Sequence, residues 1–225
     1  MRVRSRSVRT LLAASCVLLP GGLRRFVHVR LLGHDLHPTA SIGRSVVDVD
    51  HLVMGEGARI GHLVLVRGCE EVRLGAGAVI AMLVWVNSVR ADKGYFTGQP
   101  RRPALVMGEK SLITVMHFID ACDLVELADY AAIAGFGSIV QTHAVDIERM
   151  RQATAPIRIG DHSLVASRVL LLPGAVVPDR AVVAAGAVVG RALEGHHLFA
   201  GVPAKPVRDL DPEQAFFVRE TSQLW

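Results

Sequence analysis

Along residues 159–193 a large aliphatic side chain returns at every sixth position: Ile159, Val165, Leu171, Val177, Val183 and Val189. Four places after each stand Ser163, Val169, Ala175, Ala181, Ala187 and Leu193, mostly small. A helix repeats its apolar face at about 3.6 residues and a flat strand at about 2. A period of six fits neither. It fits a short strand followed by a corner, three of which close a triangular coil of roughly eighteen residues, as in parallel β-helices. The aliphatic residue points inward and stacks on its equivalent one coil away, while the small residue lets the chain turn.

The pattern recurs upstream in blocks opening at Ile42, Ile60, Leu74, Ile80, Ile113, Ile119, Ile133 and Ile139, all predicted to face the core. The gaps between blocks are not all multiples of six, so some corners carry insertions. Residues 88–105, SVRADKGYFTGQPRRPAL, are polar and out of phase; residues 144–156, AVDIERMRQATAP, break the phase directly after His143. Excursions from a rigid scaffold are where binding and catalytic groups concentrate. The solenoid domain is predicted over residues 34–210. Beyond it, DPEQAFFVRETSQLW (211–225) predicts a helix with Asp211 as N-cap and Pro212 in the first turn. That helix would cap the open end of the last coil.

Residues 1–33 have a different character. Arg2, Arg4, Arg6 and Arg9 precede a short apolar run over residues 11–19, then Pro20 and GGLRR. The run is too short to span a bilayer, which takes about 20 apolar residues. No small-x-small cleavage site follows it, which argues against a cleaved signal peptide. Two readings of this helical leader stay open: an interfacial helix whose arginines meet anionic lipid, or a cap packed on the solenoid. The expected location is the cytoplasm, with peripheral contact to the inner membrane face under the first reading.

Composition narrows the classes. The chain is 51% hydrophobic but only 5% aromatic, which suits aliphatic layers. The net charge of +4 gathers largely in the first thirty residues, so an extended nucleic-acid surface is a poor match. Cys16, Cys69 and Cys122 have no paired spacing, so neither a disulfide framework nor a zinc site is expected. Adjacent His196 and His197 diverge along a strand. No metal is expected.

The hexads of 159–193, the closing FAGVPAKPVRDL (199–210) and AGFGSIVQTHAVD (134–146) together resemble the left-handed β-helix, hexapeptide-repeat acyltransferases. The resemblance covers nearly all of residues 34–210. THAVD followed by an excursion and a return at APIRIGD (155–161) looks like the sugar and polysaccharide O-acetyltransferases of that family. The resemblance implies an all-β, left-handed solenoid, a homotrimer, an acyl-CoA donor such as acetyl-CoA, and active sites in clefts between subunits.

Transfer from a thioester to a hydroxyl needs the acceptor deprotonated as it attacks, a task suited to histidine. His143 closes a hexad beside an excursion and is the candidate base; the plainer reading is a corner histidine bonded to backbone. Asp146, three residues on, is the candidate to orient its imidazole. His117 and Asp120 repeat the H-x-x-D spacing. His117 is a candidate acceptor-binding residue, with a structural histidine as the alternative. Gln141 is near enough in sequence to donate a hydrogen bond at the site. Asn87 follows the hexads where the matched family often carries a polar cleft residue. Narrow pantetheine would lie where side chains are small, at Ala166, Ala184 and Ala185, with Arg168 and Lys205 toward the phosphates. The function the resemblance implies is acyl-CoA-dependent O-acylation, with acetyl the leading acyl group, of a sugar or glycoconjugate hydroxyl. N-acylation of an amine and a non-catalytic trimeric solenoid are the rivals.

Overall fold

The structure, a computed structural model, describes residues 3, 5–90, 94–96 and 98–221. Successive strands along the chain pass to three parallel sheets in turn, of seven, nine and seven strands. The first sheet runs from Asp35–Leu36 to Val176–Val177, the second from Ser41–Ile42 to Lys205–Asp209, and the third from Val46–Asp48 to Val188–Val189. Within these sheets every strand pairs in parallel with the strand one coil away, except the closing antiparallel pair His197–Ala200 and Lys205–Asp209; a separate two-stranded antiparallel ribbon stands outside them. This is a left-handed parallel β-helix.

Its core consists of three aliphatic columns. In the second sheet Ile42, Ile60, Ile80, Ile113, Ile133, Val165, Val183 and Phe199 are successive register partners. In the third sheet the column is Val47, Val66, Val86, Ile119, Val140, Leu171 and Val189. In both columns every residue is fully buried apart from Ile42, at the end of the stack. Full burial of such a side chain contributes about 1.5–3 kcal/mol. The hexad residues 159, 165, 171, 177, 183 and 189 fall on the three sheets in rotation.

One predicted position is corrected. Ile133 pairs with Ile113, but beyond them Val115 faces Phe136, so the strand Ala132–Phe136 carries a bulge. Gly135 there has φ 70°, and a Cβ would overlap the hydroxyl of Ser167; only glycine meets both demands. The bulge turns Ile139 out to solvent, and Val140 takes the inward place opposite Ile119.

The leader forms α1 (Arg6–Ser15), α2 (Gly21–Phe26) and one π-helical stretch, Val27–Leu32. Arg2 and Arg4 lie outside the described residues. Ala13, Cys16, Val27 and Leu32 form a small buried cluster against Val46. The arginines turn to the first coil: Arg9 donates to the carbonyls of Leu32 and Val49, Arg24 to Ile42, and Arg25 to Leu36 and Ala40. The first coil has no neighbour below it to take these carbonyls, so the leader packs as a cap. Leu11, Leu18 and Phe26 stay exposed on its outer face. No helix among the described residues is long and apolar enough to cross a membrane.

The predicted C-terminal helix is also corrected: residues 211–221 are turns and bends, and 222–225 lie outside the described residues. Asp211 Oδ1 does cap, accepting from the Glu213 N–H, but only separate turns follow, closed by Gln214 to Asp211 and Phe217 to Gln214. Tertiary contacts outweigh helix propensity here. Phe217 is 2% exposed, and the chain runs as a strap along one corner of the solenoid. Glu213 meets Arg180, the Arg219 carbonyl meets His162, the Arg219 guanidinium reaches the Tyr130 carbonyl, and the Glu220 carbonyl accepts from Lys110. Lys110, Tyr130, His162 and Arg180 are equivalent left-handed corner residues, with φ between 51° and 56°.

Candidate functional site

Both excursions leave the solenoid from the same corner, after the third-sheet strands Trp85–Asn87 and Ile139–Gln141. Between them ends the strand Phe118–Asp120, with no excursion of its own. Asn87, Asp120 and Gln141 are register partners, one above another. The second excursion begins as an antiparallel hairpin of His143–Asp146 with Arg151–Thr154, and its first residue turns back over Asp120.

Nδ1 of His143 lies 2.6 Å from Oδ2 of Asp120. The same carboxylate accepts from the backbone N–H groups of Cys122, Thr142 and His143 at 2.9–3.1 Å. Burial raises the Asp120 pKa, but the hydrogen bonds from His143 and Cys122 outweigh it and hold the carboxyl below its usual range. The hydrogen bond to Asp120 raises the His143 pKa, against a smaller opposing desolvation. An ionised carboxylate accepts only, so Nδ1 carries a proton, and in the neutral imidazole Nε2 holds the lone pair. Nε2 has no hydrogen-bond partner among the described residues, and the side chain is 35% exposed. A fixed tautomer with an open Nε2 is the arrangement a general base needs.

The first excursion shelters this imidazole. Buried Phe96 sets its ring edge-on to His143, with centroids 5.7 Å apart. Arg101 stacks on Phe96 at 4.7 Å and donates to the Cys122 carbonyl. Gln99 reaches the Gln152 carbonyl of the hairpin. Residues 91–93 and 97 of this excursion lie outside the described residues.

The other predicted site residues separate. Asp146 does not touch the imidazole: it pairs with Arg149 and Arg151, because His143 and Asp146 sit at opposite ends of one strand. Asp120 takes the orienting place instead. His117 is not open to an acceptor. It is 2% exposed, its Nε2 bonded to Thr114 and its Nδ1 accepting from the Ser138 N–H. It occupies the corner place four residues after Ile113, equivalent to Ser163, Val169, Ala175, Ala181 and Ala187, all of which are buried. Gln141 donates to the His143 carbonyl, supporting the hairpin. Asn87 is half-buried in the wall below Asp120. Ala166, Ala184 and Ala185 line the upper coils, but the N–H groups of Ala166 and Ala184 are spent on the ladder to Val183 and Phe199. Arg168 lies over Phe136, and Lys205 is exposed at the antiparallel exit. Phe96 escaped the sequence reading, since nothing marks one aromatic in a polar excursion.

The ligand atoms of Asp120, Cys122 and His143 lie within 4.8 Å of one another, a set a cation could share. They are already engaged with each other. Burial and a hydrogen bond to Asp120 push the Cys122 thiol up to about 12, so it stays protonated. The group is a hydrogen-bonded relay centred on Asp120.

The fold is that of the hexapeptide-repeat acyltransferases. No protein-family model matches the chain. A Staphylococcus aureus protein named by inference as an acetyltransferase is 31% identical over 103 residues, 44% of this chain and 52% of its own length. A similarly named Mycobacterium tuberculosis protein is 26% identical over 55% of this chain and 40% of its own. The chain thus spans about half the length or less of these curated relatives. Among solved structures, AntD, an N-acyltransferase from Bacillus cereus in complex with dTDP-4-amino-4,6-dideoxyglucose and coenzyme A, superposes with a TM-score of 0.59. It is 15% identical, over 70% of this chain and 83% of that one. The polySia-specific acetyltransferase NeuO gives 0.53 at 16% identity, over 78% and 80%.

Proposed function

We propose that this chain transfers an acyl group, with acetyl the leading candidate, from coenzyme A to a hydroxyl of a sugar or glycoconjugate, with His143 as general base. One observation carries the reading: an imidazole fixed through Nδ1 by a buried carboxylate, with Nε2 open beside two excursions. Nε2 takes the acceptor proton as its oxygen attacks the thioester carbonyl. The tetrahedral intermediate collapses, the C–S bond breaks, and the imidazolium returns the proton to the departing thiolate. No covalent enzyme intermediate is needed. Curated relatives named as acetyltransferases and the coenzyme A in the AntD complex support the donor class. The same base serves an amine, the acceptor class of an N-acyltransferase such as AntD.

The homotrimer belongs to this reading. Leu63, Leu83 and Met116 occupy equivalent left-handed corners and are exposed. Beside them Trp85, Phe118 and Ile139, register partners on the third sheet, also face solvent. A continuous apolar ridge of this kind is an interface signature. A second and third copy of the chain are its proposed occupants.

The test is calorimetric titration with acetyl-CoA, followed by a thiol-release assay over a panel of hydroxyl and amino sugars. Saturable acetyl-CoA binding with acceptor-dependent thiol release supports the reading, and the acceptor preferred decides between oxygen and nitrogen. Absence of acyl-CoA binding overturns it in favour of a binding solenoid.

A further inference from the structure

The leader joins the first coil through two histidines that acyl transfer does not use. Gly33, at φ 75°, ends the π-helical stretch and folds His34 back on His28, whose carbonyl accepts the His34 N–H. The rings stack with centroids 5.3 Å apart and Nδ1 atoms 3.1 Å apart, and the two residues are 0% and 4% exposed. At that contact one Nδ1 donates and the other accepts, so one ring keeps a bare Nε2 and the other an Nε2–H. Neither Nε2 has a hydrogen-bond partner among the described residues. Two buried, unpartnered ring nitrogens cost stability. A cavity of about 190 Å³ also separates α2 from the first coil at His28.

The surroundings disfavour any further proton. His28 faces Arg24, itself buried, whose donors go to the carbonyls of Cys16, Leu19 and Ile42, with no carboxylate to balance its charge. His34 faces Arg9 of α1 and the exposed His51. Arg25 of α2 is spent on the carbonyls of Leu36, His37 and Ala40, while Arg30 and Asp35 are exposed. The carboxylates that α1 contacts, Asp48 and Asp50, are paired with Arg90, and Asp50 also with Arg6. Burial first, and these cations after it, bring His28 down to about 4 and His34 to about 3; the Val49 carbonyl, which accepts from Arg9, opposes this in part at His34.

We propose that the His28–His34 pair is a proton-operated latch: neutral, it holds the leader on the first coil, and protonated, it releases the leader while the coils stay wound. The sign follows from linkage. Both rings are neutral in the docked leader and ordinary in the released one, so docking is favoured above about pH 6.5 and is lost as pH falls below it. Two such rings shift the ratio of docked to released leader by about 10²–10³-fold between roughly pH 7.5 and 5. The coils keep their aliphatic columns throughout. The leader also braces the root of the first excursion: Thr10 donates to Asp48, Arg6 pairs with Asp50, and both carboxylates hold Arg90. Release therefore loosens the wall that shelters His143. Only this bearing on His143 rests on the acyl-transfer reading; the latch does not.

Cys16 reports the event, since it is buried in the leader cluster, and Cys69, buried among the coils, is the control. The full-length chain is treated with 4,4′-dithiodipyridine across that pH range, without acyl donor or acceptor. Each rate is divided by that of free cysteine at the same pH, and the labelled thiols are identified by mass spectrometry. The Cys16 rate should rise at least about tenfold toward acid, with Cys69 protected. The double variant His28→Leu, His34→Leu keeps the volume and removes the charge, so its Cys16 rate should stay level. A Cys16 rate that does not rise in the wild type, that rises equally in the double variant, or that rises only together with Cys69 overturns the latch. If the double variant leaves Cys16 open at every pH, the histidine ring-proton NMR signals of the wild type decide. Two rings that take up protons only as Cys16 opens support the latch; two that titrate at the ordinary histidine value with Cys16 closed overturn it. Hydrogen exchange over residues 98–102 should quicken with Cys16 labelling in the wild type, and exchange there indifferent to release overturns the link to His143.

Discussion

His143 Nδ1 and Asp120 Oδ2 stand 2.6 Å apart although 23 residues separate them in the chain. The solenoid makes them neighbours: Asp120 ends one third-sheet strand, Gln141 ends the next, and the chain turns back at His143. A carboxylate held by three backbone N–H groups presents a fixed acceptor, and the imidazole aligns on it.

Replacing His143 with alanine should lower acceptor-dependent thiol release by about 10²–10⁴-fold, the usual worth of a positioned base. Circular dichroism should stay native, since Asp120 keeps its backbone donors. Turnover within a factor of two of wild type would remove the base assignment.

Asp120→Asn separates positioning from base chemistry. Asp120 raises the His143 pKa, so the rate of the wild type should climb through an acid limb above the ordinary histidine value. In Asp120→Asn that limb should move to lower pH while the plateau falls, whereas Asp146→Asn should leave the limb in place. The stability effect has a definite window. His143, raised in the fold, contributes stability that fades as pH rises through its folded value. Asp120, lowered in the fold, contributes stability that fades in acid. The melting difference between wild type and Asp120→Asn should be widest between roughly pH 4 and 6.5, the ordinary values of the two groups.

Gly135→Ala tests the bulge. The new Cβ would collide with Ser167 at a left-handed backbone position, so a loss of more than about 1 kcal/mol is expected. Because the bulge sets the register of the strand leading to His143, activity should fall further than stability explains. Chemical denaturation and the thiol-release assay, run together, check both.

Phe118→Glu places a charge in the exposed ridge beside Trp85, whose ring meets Phe118 edge-on at 5.3 Å. Light scattering should give a trimer for the wild type and a monomer for this variant. A monomeric wild type would remove the proposed interface.

Phe217→Ala should cost about 3–5 kcal/mol, as for a buried aromatic truncated to alanine, although it lies outside the coils. A change below about 1 kcal/mol by urea denaturation would mean that the strap contributes little to the fold.

The six-residue period was enough to read the solenoid, because each inward residue stacks on its own equivalent and the constraint is local. That logic located the columns and both excursions; the choice of His143 as candidate base also needed the resemblance to the acyltransferases. His117 falls on the same corner place as the small hexad residues, four residues after Ile113, and the structure shows that this place is internal. The orienting carboxylate is Asp120 rather than Asp146, the nearer in sequence, because sequence distance says nothing about adjacency between coils. The C-terminal helix failed for a related reason: propensity is local, while Phe217 and Arg219 answer to corners far earlier in the chain.

By itself, then, the sequence determined the coil, its core and the places where the coil is interrupted, since periodic burial is a property of neighbouring residues. Tertiary structure alone decided which side chains meet at those interruptions. The extra residue at Gly135 shifts one strand by a single place, turns Ile139 outward and brings Gln141 over Asp120. A shift of one reverses every side chain in a strand, and only the stacked partner coils select which register survives.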